Sequence, residues 1–248
     1  MKSPLSAFRG GSRGVIFVVL VAACALAPAQ AGAPEALLHQ GNRQLEEGRT
    51  TLSVPTLNEA KASFEACMHL DAKNAACSYG LARSAHYLEQ AEDFAHNSDA
   101  AKRWLDVAVE DAQKAVALND RLADAHALLA DLYGAKITGA ISGMRYGPKA
   151  NAECARALQL DPNNAQAFAV TGRKYLYSPA MFGGDIEKAI ASFQKATSLD
   201  PHSDEDFVWL AIAYRKKGDG ADAQKALTEA LRLNGRSAFA RRVQSGAE

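Results

Sequence analysis

Histidine, cysteine and acidic side chains most often hold metals or move protons, and in this chain they do not fall at the spacings of metal or catalytic motifs. The histidines form neither an HExxH nor a His-x-His pattern. They are His39, His69, His86, His96, His126 and His202. The nearest approach to a metal cluster is Cys67-x-His69 followed by Cys77, which lacks a fourth ligand at a suitable spacing. We therefore expect no metal site.

Motifs for nucleophilic or phosphate chemistry are also missing from the sequence. Four glycines between Gly134 and Gly147 suggest a phosphate loop, but no Gly-Lys-Ser/Thr follows them and no strand is predicted before them. They are better interpreted as a flexible inserted turn. Ser142 lacks the Gly-x-Ser-x-Gly setting of a hydrolase nucleophile. The sequence predicts a protein that is not an enzyme and needs no cofactor.

The N-terminal segment has the pattern of an export signal. Residues 1–14 are basic without any acid, and an apolar run follows from Val15 to Ala27. Small residues before Gly32 favour cleavage there and make residues 1–31 a signal peptide, whereas Val21-Ala22-Ala23-Cys24 resembles a lipobox, with Cys24 lipidated. An uncleaved anchor is the third alternative. We expect a periplasmic or secreted protein, or one anchored to the membrane as a lipoprotein.

Charge and cysteine content narrow the class of partner. The full chain has 28 basic and 28 acidic residues, and loss of residues 1–31 would leave a net charge of about −3. Such a surface does not attract nucleic acid, and membrane contact is expected only through a lipid anchor or an uncleaved signal. Antiparallel helices could bring Cys67 opposite Cys77, so either a disulfide or two small buried side chains are possible. Cys154 is interpreted as a core residue.

A repeated phrase is the strongest signal in the chain. Leucine followed by Asp or Asn occurs five times in similar settings, beginning at Leu70, Leu118, Leu160, Leu199 and Leu233. Before each phrase, three residues that are mostly small recur at offsets of four and three, which place them on one helical face. These triplets are Ala60/Phe64/Cys67, Ala108/Ala112/Ala115, Ala150/Cys154/Ala157, Ala189/Phe193/Ala196 and Ala223/Leu227/Ala230. They predict closely packed helix pairs.

The pattern resembles the tetratricopeptide repeat (TPR), a pair of antiparallel helices with small residues at their crossing. The resemblance covers most of residues 34–238 and implies an all-α, right-handed superhelical α-solenoid of about five pairs. The expected units are 34–74 (irregular), 75–122 (with a long insertion), 123–164, 165–203 and 204–236, with a capping helix and tail at 237–248.

Extra residues in the earlier units are predicted to enlarge the turns inside each pair. The insertions are placed around Gly48–Pro55, Leu88–Asp99, Gly134–Gly147 and Ser178–Gly184. Thr56 with Glu59 is predicted to form a capping box, and Gly147-Pro148 to start a helix. Asp185 and Asp219 are predicted to lie at helix starts. Met181 and Phe182 place two large apolar residues in a turn, where Phe182 is expected to pack against Ile186 or, alternatively, to form an edge contact for a partner.

The resemblance also implies where a partner binds. In TPR proteins the first helix of each unit lines a concave groove, and its matching positions here supply arginine, aromatic and charged side chains. The implied partner-binding residues are Tyr79, Arg83, His86, Tyr87, Asp131, Arg173, Tyr177, Ile212, Arg215 and Lys216. Alternatively, the arginines are ordinary solvated charges and the tyrosines pack against inserted turns.

Together these features favour a non-catalytic, exported bacterial scaffold that binds a peptide or partner domain in its groove. A second interpretation is a ligand-handling accessory lipoprotein of an envelope transport system. The Cys24 motif and the long turns resemble TPR components associated with TRAP transporters.

Overall fold

The computed structural model describes residues 32–246, and within that range it contains helices and no strand. Eleven α-helices follow one another in this range, with a short 3-10 helix at Ala180–Phe182. They are α1 (Ala33–Thr51), α2 (Val54–Leu70), α3 (Ala75–Phe94), α4 (Ser98–Leu118), α5 (Ala123–Ala135), α6 (Ala140–Leu160), α7 (Ala165–Tyr177), α8 (Ile186–Leu199), α9 (Asp204–Lys217), α10 (Gly220–Leu233) and α11 (Ala238–Gln244). The expected all-α class is confirmed.

The helices pack as five consecutive pairs. Each odd-numbered helix from α1 to α9 packs along the helix that follows it, and each pair contacts the next. Short connections make the partners of a pair antiparallel. The helix α11 packs against both α9 and α10 and covers the end of the stack. This arrangement is an α-solenoid, as the repeat predicts.

Close helix approach follows from the small residues. Phe64 of α2 is fully buried between α1 and α3. A Cβ atom added to Gly41 or Gly80 would lie 2.7 or 2.4 Å from the Phe64 ring, so only glycine fits at these two positions. Gly172 has the same relation to Phe193, at 2.6 Å. The predicted small-residue face is therefore the core between helices.

The predicted insertions of the first three units mainly lengthen helices instead of forming long turns. The residues around Leu88–Asp99 extend α3 to Phe94, and α4 begins at Ser98, with only residues 95–97 between them. Likewise α1 continues to Thr51 and α2 begins at Val54. The residues from Leu88 to Phe94 include several good helix formers, so continuing α3 satisfies backbone groups that a loop would leave to water.

Two predicted helix starts are wrong. The second helix begins after Ser53, whose hydroxyl accepts from Thr56 N, because Pro55 is tolerated in a first turn. Helix α6 begins at Ala140, so Pro148 lies inside it and the glycine segment is largely helical. Ser142 Oγ accepts from Gly139 N at 3.0 Å and caps this earlier start.

The starts predicted at Asp185 and Asp219 are confirmed, since both side chains accept hydrogen bonds from backbone N–H groups of the following helix.

A disulfide joins Cys67, near the end of α2, to Cys77, in the first turn of α3, with the two Cα atoms 6.2 Å apart. The free Cys154 is half-buried, with its sulfur 3.4 Å from Thr171 Oγ1. Cys24 and the predicted signal segment lie outside the described residues.

Candidate functional site: the inner face of the stack

Helix α3 supplies four of the predicted partner-binding residues. Tyr79, Arg83, His86 and Tyr87 follow one another at offsets of three or four, or are adjacent, and therefore share one side of the helix. The opposite side of α3 carries Leu81, Leu88 and other core residues. This division leaves the four side chains on the surface that α3 presents toward other units, which we call the inner face.

Ion pairs link α3 backward to the first unit. Arg83 Nη2 lies 2.8 Å from Glu46 Oε1 of α1. The other oxygen of Glu46 accepts from Arg49 Nε at 2.5 Å. The Arg83 guanidinium also lies 5.7 Å from the centre of the Tyr79 ring. One carboxylate therefore joins two arginines at the junction of the first and second units.

A second ion pair links the third and fourth units. Arg173 of α7 donates from Nε to Asp131 Oδ1 of α5 at 2.9 Å, and its Nη2 lies 2.8 Å from the same oxygen. His86 Nε2 lies 3.8 Å from the other Asp131 oxygen. On its far side, Arg173 stacks over Trp209 of α9, with Cζ 5.2 Å from the ring centre. The inner face thus continues through α5, α7 and α9.

Side chains of the last unit contact the first unit. Arg49 Nη1 of α1 lies 3.3 Å from Asp204 Oδ1 of α9, across 155 residues of sequence. Arg242 of the capping helix lies 3.7 Å from Asp93 and 4.4 Å from the centre of the Phe94 ring. The stack is therefore closed on itself by side-chain contacts. The space between its two ends is a cavity of about 20 Å³.

Burial shifts the pKa values of several inner-face groups. Desolvation raises the pKa of Tyr79 to about 12 and raises that of Tyr87 further. Burial also acts to raise the pKa of Glu46, but Arg49 and Arg83 outweigh it and the net shift is downward. The two arginines therefore hold this carboxylate ionised, although about half of its side chain is exposed to water.

Asp206, in the first turn of α9, shows the opposite balance. Its side chain is buried, and desolvation together with the neighbouring charge of Glu205 raises its pKa to about 7. Arg173 and the Ser203 hydroxyl oppose that rise. Asp206 is therefore a carboxyl group that exchanges its proton near neutral pH inside the closed stack.

The remaining four predicted residues lie elsewhere. Ile212 is wrong as a contact residue, because it is 5% exposed in a core cluster with Ala240 and Val243 of the capping helix. Arg215 donates to the Val243 carbonyl oxygen at 2.6 Å and so ties that helix down. Tyr177 and Lys216 lie together at the edge of the stack, with Lys216 Nζ 4.7 Å from the Tyr177 ring centre.

Sequence reasoning missed four members of the inner face: Glu46, Arg49, Asp204 and Trp209. Glu46 could have been found, because it lies on α1, the first helix of a unit, and the TPR resemblance implies that each first helix lines the groove. Asp204 had no such signal. It lies at a helix start, where acidic residues are common for local reasons, and only the approach of Arg49 gives it a second role.

The expected packing of Phe182 against Ile186 is wrong, since Phe182 is 67% exposed. Within residues 32–246, no group of three histidine, cysteine, aspartate or glutamate side chains is placed to hold a metal ion. Over the same range, none of the helices has both the length and the apolarity to cross a bilayer.

The five helix pairs, their small-residue crossings and the shared inner face define a TPR-type α-solenoid. The model of the family described as regulator of microtubule dynamics protein 1-3 matches residues 45–248, and the chain belongs to that family. Among curated proteins, a sequence search found no match.

One solved structure has the same fold as this chain. A thermophilic TPR protein of Thermus thermophilus, TTC0263, is 21% identical, with 87% of this chain and 98% of that chain covered and a TM-score of 0.65. PilF of Pseudomonas aeruginosa is 17% identical over 86% of this chain and 81% of that chain, with a TM-score of 0.49. At 21% identity, the likeness to TTC0263 shows the TPR fold and no more.

Proposed function

We propose that the protein is a non-catalytic scaffold, exported to the bacterial cell envelope, whose inner face binds a peptide or a domain of a partner protein. The observation that carries this proposal is the inner face itself, to which all five first helices contribute charged or aromatic side chains. Arginine and aromatic side chains supply most of the binding energy in many protein interfaces.

A partner would bind by replacing internal contacts. The closure between the two ends rests on side chains, chiefly Arg49 with Asp204 and Arg242 with Asp93 and Phe94. A partner segment with carboxylates and aromatic groups offers Arg49, Arg83 and Arg173 equivalent contacts, so exchange of one set for the other has a small net cost. Small rotations between units would then open the stack.

The ligand-handling alternative has less support. The cavity of about 20 Å³ between the ends is lined by Arg49, Tyr87, Asp204 and Phe239 among others. That volume accommodates about one water molecule, far below the several hundred Å³ typical of small-molecule sites, and the larger cleft beside Tyr175 and Ile186, of about 340 Å³, is open to solvent. A protein partner needs no enclosed cavity, so the scaffold is the better-supported function.

The scaffold proposal is tested by crosslinked capture of the tagged full chain from its native envelope, followed by mass spectrometry. We expect one reproducible protein partner that Tyr87→Ala reduces at least fivefold and Lys102→Ala leaves unchanged, since Lys102 is exposed on α4. Equal recovery of the same partner by both variants would rule out the inner face as its binding site.

Export is tested by intact mass of the protein recovered from cells. A start at Gly32 agrees with signal cleavage, and acyl chains on Cys24 agree with lipidation. A full-length, unmodified protein in the cytosolic fraction would overturn the envelope role.

A further inference from the structure

A second surface lies where the turns inside the third and fourth units meet the solvent. The helices α5 and α7 are the first helices of successive units and pack on each other. Their C-terminal ends therefore lie on the same edge of the stack, followed by the turns that lead into α6 and α8. We call this edge, with its apolar residues Ile141, Met144, Met181 and Phe182, the turn edge.

Unequal helix lengths leave the turn edge uncovered. The 21 residues of α6 span about 31 Å, whereas the 14 residues of α8 span about 21 Å. The N-terminal part of α6 therefore extends past the start of α8. Ala157 is the one buried residue of α6, in contrast to the several found in each of the other long helices. The stack has a step at this place.

Large apolar side chains are exposed on both sides of the step. Ile141 and Met144 of α6 are 82% and 74% exposed, and Met181 and Phe182 of the next turn are 82% and 67% exposed. An open cleft of about 340 Å³ lies beside Met181 and Phe182, lined by Tyr175, Leu176, Asp185, Ile186 and Lys216 among others. Clustered exposed apolar residues of this kind mark interaction surfaces.

The turn holds these side chains outward in a fixed geometry. Phe182 N and Gly184 N both donate to Pro179 O, at 2.8 and 3.1 Å, and Asp185 N donates to Tyr175 O at 3.0 Å. A Cβ atom at Gly184 would lie 1.8 Å from the Ser178 carbonyl oxygen, so the chain folds back on itself as only glycine permits. Exposure of Met181 and Phe182 is thus built into the backbone.

The charge of the turn edge indicates the chemistry of its partner. On the α6 side of the edge, residues 134–152 contain no acidic residue, although the chain as a whole has equal numbers of acids and bases. On the other side, the acidic residues Asp185 and Glu187 are paired with lysines, namely Lys188 and Lys217. The exposed Arg145 and Lys149 flank the apolar residues. Within residues 32–246 these two cations contact the rings of Tyr146 and Tyr133 and pair with no carboxylate. Their charge is therefore available to an acidic group.

We propose that the turn edge is a second docking site, separate from the inner face, for an acidic segment of a partner protein with apolar side chains. Its aliphatic or aromatic residues contact Met144, Met181 and Phe182 or enter the neighbouring cleft, and its carboxylates meet Arg145 and Lys149. A second copy of this chain fits poorly, because two such edges would bring like charges together.

The test selects peptides from a displayed random dodecapeptide library on the immobilised full chain, and measures their affinity by fluorescence anisotropy. We expect selected peptides to be net negative and to contain aromatic or large aliphatic residues. Met181→Ser/Phe182→Ser and Arg145→Glu/Lys149→Glu should each weaken binding at least tenfold. Leu70→Ser and Lys102→Glu are matched controls, since Leu70 is 59% exposed on α2 and Lys102 is exposed on α4.

Three results would overturn the proposal. The first is selection of peptides without acidic residues, or binding by both double variants within twofold of the unchanged protein. The second is a dimer in sedimentation velocity that Met181→Ser/Phe182→Ser abolishes, which would assign the edge to a second copy. The third is the same variant losing binding to phosphatidylglycerol vesicles while no peptide is selected. Tyr87→Ala alters the inner face and should leave the affinity of these peptides unchanged. Failure of the inner-face function can therefore be distinguished from failure of the turn-edge proposal.

Discussion

Side chains of the inner face are mostly shielded from solvent, whereas those of the turn edge are mostly exposed. On the inner face the side chains of Arg173 and Asp131 are 16% and 18% exposed and bind each other. At the turn edge Ile141 and Met181 are both 82% exposed. The inner face therefore contributes to the fold as well as to any binding, whereas the turn edge can be altered at little cost. Stability measurements can separate the two regions.

The largest expected effect is at the centre of the inner face. Asp131→Ala removes the carboxylate and leaves the buried Arg173 guanidinium without its partner. We expect a loss of about 3–5 kcal/mol in the free energy of unfolding, measured by urea denaturation. The double variant Asp131→Asn/Arg173→Met should recover much of that loss because no unpaired charge remains. A loss below about 1 kcal/mol for Asp131→Ala would mean that water reaches this pair freely.

The second-largest expected effect is a dependence of the free energy of unfolding on pH, caused by Asp206. Its pKa of about 7 in the folded protein lies above the usual 3.8, so the folded state holds a proton that the unfolded state has released. The contribution of this carboxyl group to the free energy of unfolding is fully present below about pH 4 and is lost as the pH rises toward 7. We expect Asp206→Asn to match the unchanged protein at pH 4 and to exceed it by roughly 2–4 kcal/mol at pH 8.

Thermal unfolding of both proteins from pH 4 to pH 8 measures this difference. Asp111 contributes a slope of the same sign in both proteins, because burial raises its pKa to about 6. Curves that stay parallel over the whole range would show that Asp206 does not exchange its proton in this window.

A smaller effect is expected at the closure between the ends. Arg49→Ala removes the ion pair with Asp204 and one partner of Glu46. Since the Arg49 side chain is 25% exposed, we expect a loss of about 1 kcal/mol. Amide hydrogen exchange should accelerate in α1 and around the first turn of α9 while α5 and α6 stay unchanged. If Arg49→Ala leaves amide exchange in α1 and α9 as slow as in the unchanged protein, a specific contact between the ends is ruled out.

The smallest effect belongs to the turn edge. Phe182→Ser should change the free energy of unfolding by less than about 0.5 kcal/mol, because the ring is already two-thirds exposed. Phe193→Ser is the contrasting variant, since Phe193 is fully buried and its replacement should cost at least about 3 kcal/mol. Comparable losses in the two variants would mean that Phe182 packs into the stack after all.

Local sequence patterns predicted the all-α class and the small-residue helix crossings well. The triplet Ala189/Phe193/Ala196 lies at a helix crossing as expected, because offsets of three and four fix which face of a helix is apolar. Helix boundaries were less predictable. Pro148 indicated a helix start, yet the backbone continues through it, because an earlier cap at Ser142 and contacts of Tyr146 with Tyr133 stabilise the longer helix.

By itself, the sequence determined the all-α class, the repeated pairs and the residues that pack between them. Tertiary structure alone decided that Arg49 meets Asp204, since that contact depends on the rotation accumulated over five units, and no short-range pattern records a sum of small angles. It likewise decided that Ile212 is covered by α11 and that the turn edge is left open. Periodicity encodes which side of a helix is buried, whereas the curvature of the whole stack decides which exposed sides meet.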